Sequence, residues 1–176
     1  MDIEKLKFPI GTFEKPEMIS EKDLHLWIET IALFPEKLSS RTFSIEELNY
    51  KYRLQGWTIK QVIHHCADSH STSFTRFKLA LTEDLPTIKP YDEAKWSELV
   101  DGIDNDILSS LKIIEGVHYK WVLLLKSLDK VQLKKQFMHP ESKKIYTLDE
   151  VIGLYAWHCN HHFAHIEQAI LHKNKF

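Results

Sequence analysis

Only two cysteines, Cys66 and Cys159, occur in the 176-residue chain, too few to staple a secreted scaffold of this length. The expectation is a cytoplasmic protein with reduced thiols. Glycine and proline are scarce as well, five and six residues, which argues against a turn-rich β architecture. No apolar run approaches the ~20 residues that span a bilayer; the longest obvious one is Trp121 to Leu125. The opening segment, MDIEKLKFPIGTFEKPE, is charged from its second residue and offers no apolar core for a secretory signal. Neither charge dominates, since 23 Lys plus Arg face 25 Asp plus Glu for a formal net charge of −2. A nucleic-acid binder would usually carry a basic stripe, so neither nucleic acid nor membrane is expected as a partner. A Gly-rich phosphate loop, a GxSxG serine elbow, internal repeats and low-complexity tracts are all missing.

What the chain does have is 43% hydrophobic residues, enough for one domain over residues 1–176 that buries roughly 70% of the surface its unfolded form exposes. Residues 1–19, broken by Pro9, Gly11 and Pro16, are expected to form an irregular lead-in. Ser20 opens a helical pattern with Leu24, Trp27, Ile28, Ile31 and Phe34 at spacings of three and four. Pro35 should kink or end that helix near Phe34. Ser44 with Glu47, Thr58 with Gln61, and Thr147 with Glu150 have the spacing of capping boxes. The second opens a helix whose face carries Ile59, Val62, Ile63, Cys66, His70, Phe77 and Leu81; a short helix follows around Trp96. Ile107, Leu111, Ile114, Val117, Trp121, Leu124 and Leu128 mark a third long helix, and the last runs from Leu148 to about His172. Phe137 to Tyr146, with Pro140 inside, reads as a hairpin-like excursion. The expected fold is all-α, an antiparallel four-helix bundle with short extra helices.

Histidine is the unusual entry in the composition, with 11 residues. Eight lie in two windows: His64, His65 and His70, then His158, His161, His162, His165 and His172. On the last helix His158 and His162 fall inside the buried stripe, whereas His161 lies well outside it. Residues at i and i+4 have Cβ atoms ~5–6 Å apart, which lets two imidazoles converge on one metal ion. Two imidazoles buried without a metal would need other hydrogen-bond partners. A third ligand from the other histidine-rich helix would complete a His₃ site with open positions. The helical wheel nominates His70 at the centre of the core stripe and leaves His65 on its flank, so spacing alone does not identify the third ligand.

The segments Gly56-Trp57-Thr58, Val62 to His70 (VIHHCADSH), Leu154 to His158 (LYAWH) and His161 to Ile166 (HHFAHI) together resemble the signature of the DinB superfamily. More narrowly, Phe8-Pro9-Ile10-Gly11, Arg76-Phe77-Lys78-Leu79 and Pro90-Tyr91-Asp92-Glu93 with Trp96 are similar to the YfiT group, named for an inferred metal-dependent hydrolase activity. The likeness runs from about residue 8 to about residue 168. It implies one metal, zinc or nickel, held by His65, His158 and His162, and it overrules His70. The group is described as dimeric, which implies a homodimer.

Around these ligands, Asp68 either orients a ligand imidazole or is a solvated side chain near a turn. His70, His118 and His165 are candidates for pocket-lining proton shuttles or for packing. Cys66 and Cys159 point into the core stripe and are read as small buried hydrophobes. Trp157 and Trp96 are the tryptophans placed to edge a pocket. A metal on three neutral imidazoles either activates water, giving hydrolysis, or ionises a bound thiol, giving transfer. The first expectation is a hydrolase acting on a small molecule. The alternatives are an S-transferase using a low-molecular-weight thiol such as bacillithiol, and a non-catalytic metal-binding stress-response module.

Overall fold

The computed structural model describes residues 3–176. Four long helices dominate it: α2 (Glu21–Ser39), α4 (Ile59–Thr82), α6 (Leu108–Ser127) and α7 (Leu148–His172). Around them lie the short helices α1 (Ile3–Lys7), α3 (Ile45–Leu48) and α5 (Glu93–Trp96), a 3₁₀ turn at Gln132–Lys134, and a hairpin of β1 (Gln136–His139) with β2 (Lys144–Thr147). The four-helix bundle and the excursion around Pro140 are both present. Ser20, Ser44 and Thr58 cap α2, α3 and α4 through reciprocal side-chain and backbone hydrogen bonds. Those boxes satisfy amide donors that would otherwise be orphaned at each helix start.

Cross-helix contacts fix the topology. Along α4 and α6 they advance together, from His64–Ser110 through His70–His118 to Phe77–Trp121, so the two helices run parallel. Along α4 and α7 they run oppositely, His65 meeting His162 and Ser69 meeting Tyr155. Helix α2 runs with α7, Trp27 lying on Gly153 and Lys37 over Phe163. It runs against α6. The packing order around the bundle is therefore α2, α6, α4, α7, with α2 across the diagonal from α4. Parallel neighbours need a long connection, and residues 83–107, carrying α5, supply it between α4 and α6. This crossover and the α1 segment flank the middle of α7.

Three local expectations are corrected. Residues 3–7 of the lead-in form a helix, too short to show periodicity, which buries Leu6 against the bundle; residues 1–2 lie outside the described residues. Of the two outcomes expected at Pro35, a kink or an end, the end does not occur: helix α2 continues to Ser39. Proline removes its own amide donor and crowds the carbonyl four residues back; that carbonyl, of Ile31, accepts a 2.6 Å hydrogen bond from His118 Nδ1 instead. Thr147 precedes α7 without a side-chain cap. The Glu150 carboxylate is taken by Lys144 Nζ at 2.6 Å, and Asp149 beside it pairs with Lys134. Ion pairs from the hairpin and the 3₁₀ turn thus hold the start of α7 where the box was expected. Core packing is dominated by Phe34, Phe77, Trp121, Ile63, Ile152 and Ile166, all essentially inaccessible to solvent.

Candidate metal centre

The 100° step of α4 splits the adjacent histidines. His64 turns toward α6, with its ring nitrogens on Ser110 Oγ (2.8 Å) and the Asp104 carbonyl (3.0 Å). His65 turns toward α7, and its Nε2 stands 3.3 Å from Nε2 of His158. One turn further along α7, His162 places its ring centroid 4.8 Å from that of His65 and 4.3 Å from that of His158. One ring nitrogen from each of the three lies within 4.8 Å of the others. Nitrogens bound tetrahedrally at ~2.0–2.1 Å stand roughly 3.4 Å apart, so the His65–His158 separation fits a shared ion.

Hydrogen bonds behind the rings determine which nitrogens face this point. The Ile31 carbonyl can only accept, so His118 Nδ1 donates to it. A neutral His118 then accepts at Nε2 from His70 Nδ1 at 2.6 Å, and His70 Nε2 accepts from His158 Nδ1 at 2.9 Å. This chain protonates His158 at Nδ1 and leaves its Nε2 lone pair facing His65. A second chain acts on His162. His165 Nε2 donates to the Lys7 carbonyl at 3.0 Å, and His165 Nδ1 then accepts a long 3.4 Å bond from His162 Nδ1. Each chain ends on a backbone carbonyl, one released by Pro35 and one supplied by α1. Second partners of this kind fix the tautomer and aim of metal-binding imidazoles.

Neutrality, on which the chains depend, follows from burial. His65 and His118 are pushed down to about 4, by burial first. His165 falls to about 3 through burial and the neighbouring His161. His70, His158 and His162 lie well below the ordinary imidazole value, again through burial and then through the other rings.

Two further groups bring potential ligand atoms together, His70–His118–Cys159 and His161–His162–His165. The first is sealed in the core, with both nitrogens of His70 and of His118 already bonded and the Cys159 thiol pushed well up by burial. The second shares His162, whose Nδ1 already donates to the Nδ1 lone pair of His165. The His65–His158–His162 group opens onto a cleft of about 680 Å³, which His161 and His165 also line, walled by Trp57, Trp157, Arg53 and the crossover residues Glu93 and Ala94.

A sequence model of the DinB superfamily matches residues 37–166. YfiT of Bacillus subtilis (strain 168), named as an inferred metal-dependent hydrolase, is 44% identical over 165 residues, covering 93% of each chain. The chain belongs to the DinB superfamily. A similarly named protein of Halalkalibacterium halodurans is 42% identical over 167 residues, 94% of this chain and 96% of that one. The solved structure of Bacillus subtilis YfiT superposes with a TM-score of 0.91 at 43% identity, covering 94% of this chain and 95% of that one. It is described as an inferred metal-dependent hydrolase with an unusual four-helix bundle topology.

In this DinB chain the side chain that orients His158 is His70. Asp68 is half-buried facing Asp101 and His64, with its carboxyl raised by burial. His118 stands behind His70, away from the cleft, whereas His165 lines it. His161, placed off the stripe by its wheel position, is nevertheless buried, stacked on Trp157 at 4.4 Å. Trp157 edges the cleft as expected, Trp96 does not, and Trp57 takes that place with its ring 4.7 Å from His65. Sequence reasoning passed over Glu93, which lines the cleft from the crossover; its carboxyl is raised by partial burial and by Asp92. Only its position in the motif Pro90-Tyr91-Asp92-Glu93 could have marked it.

His70→Leu removes the acceptor for His158 Nδ1–H at nearly constant volume. The expected result is a 10–100-fold loss of metal affinity, the usual effect of deleting a partner behind a ligand, with the helical circular-dichroism spectrum retained. Unchanged affinity by competitive chelator titration would remove the orienting role.

Proposed function

We propose that His65, His158 and His162 hold one divalent transition metal per chain, zinc or nickel, and that the protein is a metal-dependent hydrolase of small molecules. The observation that carries this reading is the convergence of three neutral imidazoles at the wall of an open cleft. All-imidazole donor sets suit zinc or nickel better than magnesium. Bound there, the ion supplies Lewis acidity that brings the pKa of a water ligand toward ~7 or ionises a thiol. The chain's own residues do the rest. The two hydrogen-bond chains hold His158 and His162 in the ligating tautomer, Trp57 packs on His65, and Glu93 at the rim can take up or return a proton at its carboxylate.

A second reading is an S-transferase acting with a low-molecular-weight thiol such as bacillithiol. It is favoured by one observation: Cys66 and Cys159 are sealed in the core with their thiols pushed up by burial, so a thiol at this site must come from a small molecule. Zinc-loaded protein should be assayed with activated esters and amides alone, and with monochlorobimane plus a panel of small thiols. Turnover without thiol that disappears in His65→Ala supports the hydrolase. Turnover only with thiol establishes the transferase, and no turnover above metal-free protein in either assay leaves a metal-binding module.

A further inference from the structure

A second cleft, of about 600 Å³, shares His158 and Glu93 with the first and extends toward the hairpin. Arg76 lines it from α4, Tyr91 from the crossover, Tyr155 from α7 and His139 from β1. Arg76 belongs to none of the ion pairs among the described residues. Its Nε is buried without a hydrogen-bond partner, and so is Nδ1 of His139. A guanidinium is always charged and presents five donors in a rigid fork. The residue is only partly buried, but its Nε donor is sealed off without a partner, so its natural complement is an oxyanion that arrives with a ligand. Tyr91 and Tyr155 line the wall as well, the Tyr155 hydroxyl being bonded to Ser69.

The charge around the cleft selects among oxyanions. Arg76 is the one permanent cation in the lining, while Asp92, Glu93 and Glu141 also border it. A dianionic phosphate would meet those carboxylates with insufficient compensation. A single carboxylate matches the planar fork and balances one charge.

We propose that this cleft is a carboxylate subsite, in which Arg76 binds an acid group of the substrate and so directs the reacting bond toward His158. The proposal rests on the metal-site reading for its catalytic meaning, but the anion site itself stands without it.

The test titrates zinc-loaded protein with phenylacetate, its neutral counterpart phenylacetamide, and phenyl phosphate, following the Arg76 Nε–Hε resonance and the heat of binding. Phenylacetate is expected to shift that resonance and to bind at least about tenfold more tightly than the amide, the worth of a charge-assisted hydrogen bond. Arg76→Met abolishes the preference and Arg76→Lys restores part of it, with bound zinc per chain unchanged in both. The acid-over-amide preference persists in metal-free protein, so loss of the metal site and loss of the anion site are read separately. The resonance shift is measured on the unaltered chain and does not depend on either variant folding. Equal affinity for acid and amide, a preference that survives Arg76→Met, or stronger Arg76-dependent binding of phenyl phosphate overturns the proposal.

Discussion

The His65→Ala, His158→Ala and His162→Ala variants are expected to purify with almost no divalent metal, against about one ion per chain in the unaltered protein. Three imidazoles with open positions make a cage in which each ligand carries a large share of the affinity, and two histidines on one helix do not retain an ion against a chelator. His65→Ala is the cleanest of the three. Removing His158 also strips His70 Nε2 of its donor inside the core, which costs about 1–3 kcal/mol in stability for an unpaired buried group. His65 Nε2 stands against His158 and His162 at the proposed ion site. His161→Ala is the control, because His161 belongs to the competing group on α7. Elemental analysis that finds full metal in His65→Ala and none in His161→Ala would move the site to His161, His162 and His165.

The metal-free protein is expected to unfold on mild acidification, with a midpoint at about pH 5. Seven histidines, the buried His65, His70, His118, His161, His162 and His165 and the partly buried His158, all have values lowered by burial in the folded chain. In the unfolded chain each titrates near its ordinary value of about 6.5. Folded values are depressed, so below about pH 6.5 the unfolded state takes up protons that the folded state refuses. Stability is intact above that pH and falls as the pH drops toward the folded values, near 4 for His65, His118 and His161. Each group contributes up to ~1.4 kcal/mol per pH unit. Seven together can exhaust a domain stability of ~5–15 kcal/mol within about two units. Metal binds the folded neutral imidazoles and should lower the midpoint with the logarithm of its concentration. Circular dichroism across a pH series, with and without zinc, measures both effects. A metal-independent transition only at about pH 3, where carboxylates titrate, would contradict this account.

How much of this was legible in the sequence depended on whether the determining contact was local. Helices α4 and α7 could be read from their periodicity, and α4 from its Thr58–Gln61 box as well, because those interactions lie within a few residues of one another. The pairing of His158 with His162 followed from i, i+4 geometry alone. The third ligand did not. A wheel finds the deepest histidine, which on α4 is His70, whereas the proposed metal site uses the one at the edge of the seam, His65. His70 is central for a different reason, since it holds His158 from behind. That α2 does not end at Pro35 could not be read locally, because it turns on whether a distant donor reaches the freed Ile31 carbonyl, and His118 is that donor. Helix α1 and the Lys7 carbonyl were hidden for the same reason: a five-residue helix has no period, and its role is set by His165 across the fold. Arg76 looked like part of a motif with no task until the cleft around it was visible.

The most direct test of the central claim is X-ray absorption at the zinc edge of the zinc-loaded protein. Three imidazole nitrogens at ~2.0–2.1 Å, with the remaining shell filled by oxygen, is the predicted result. A sulfur scatterer at ~2.3 Å would place the ion with Cys159 in the core, and a shell of oxygens without imidazole would place it on surface carboxylates. Either outcome would contradict the account.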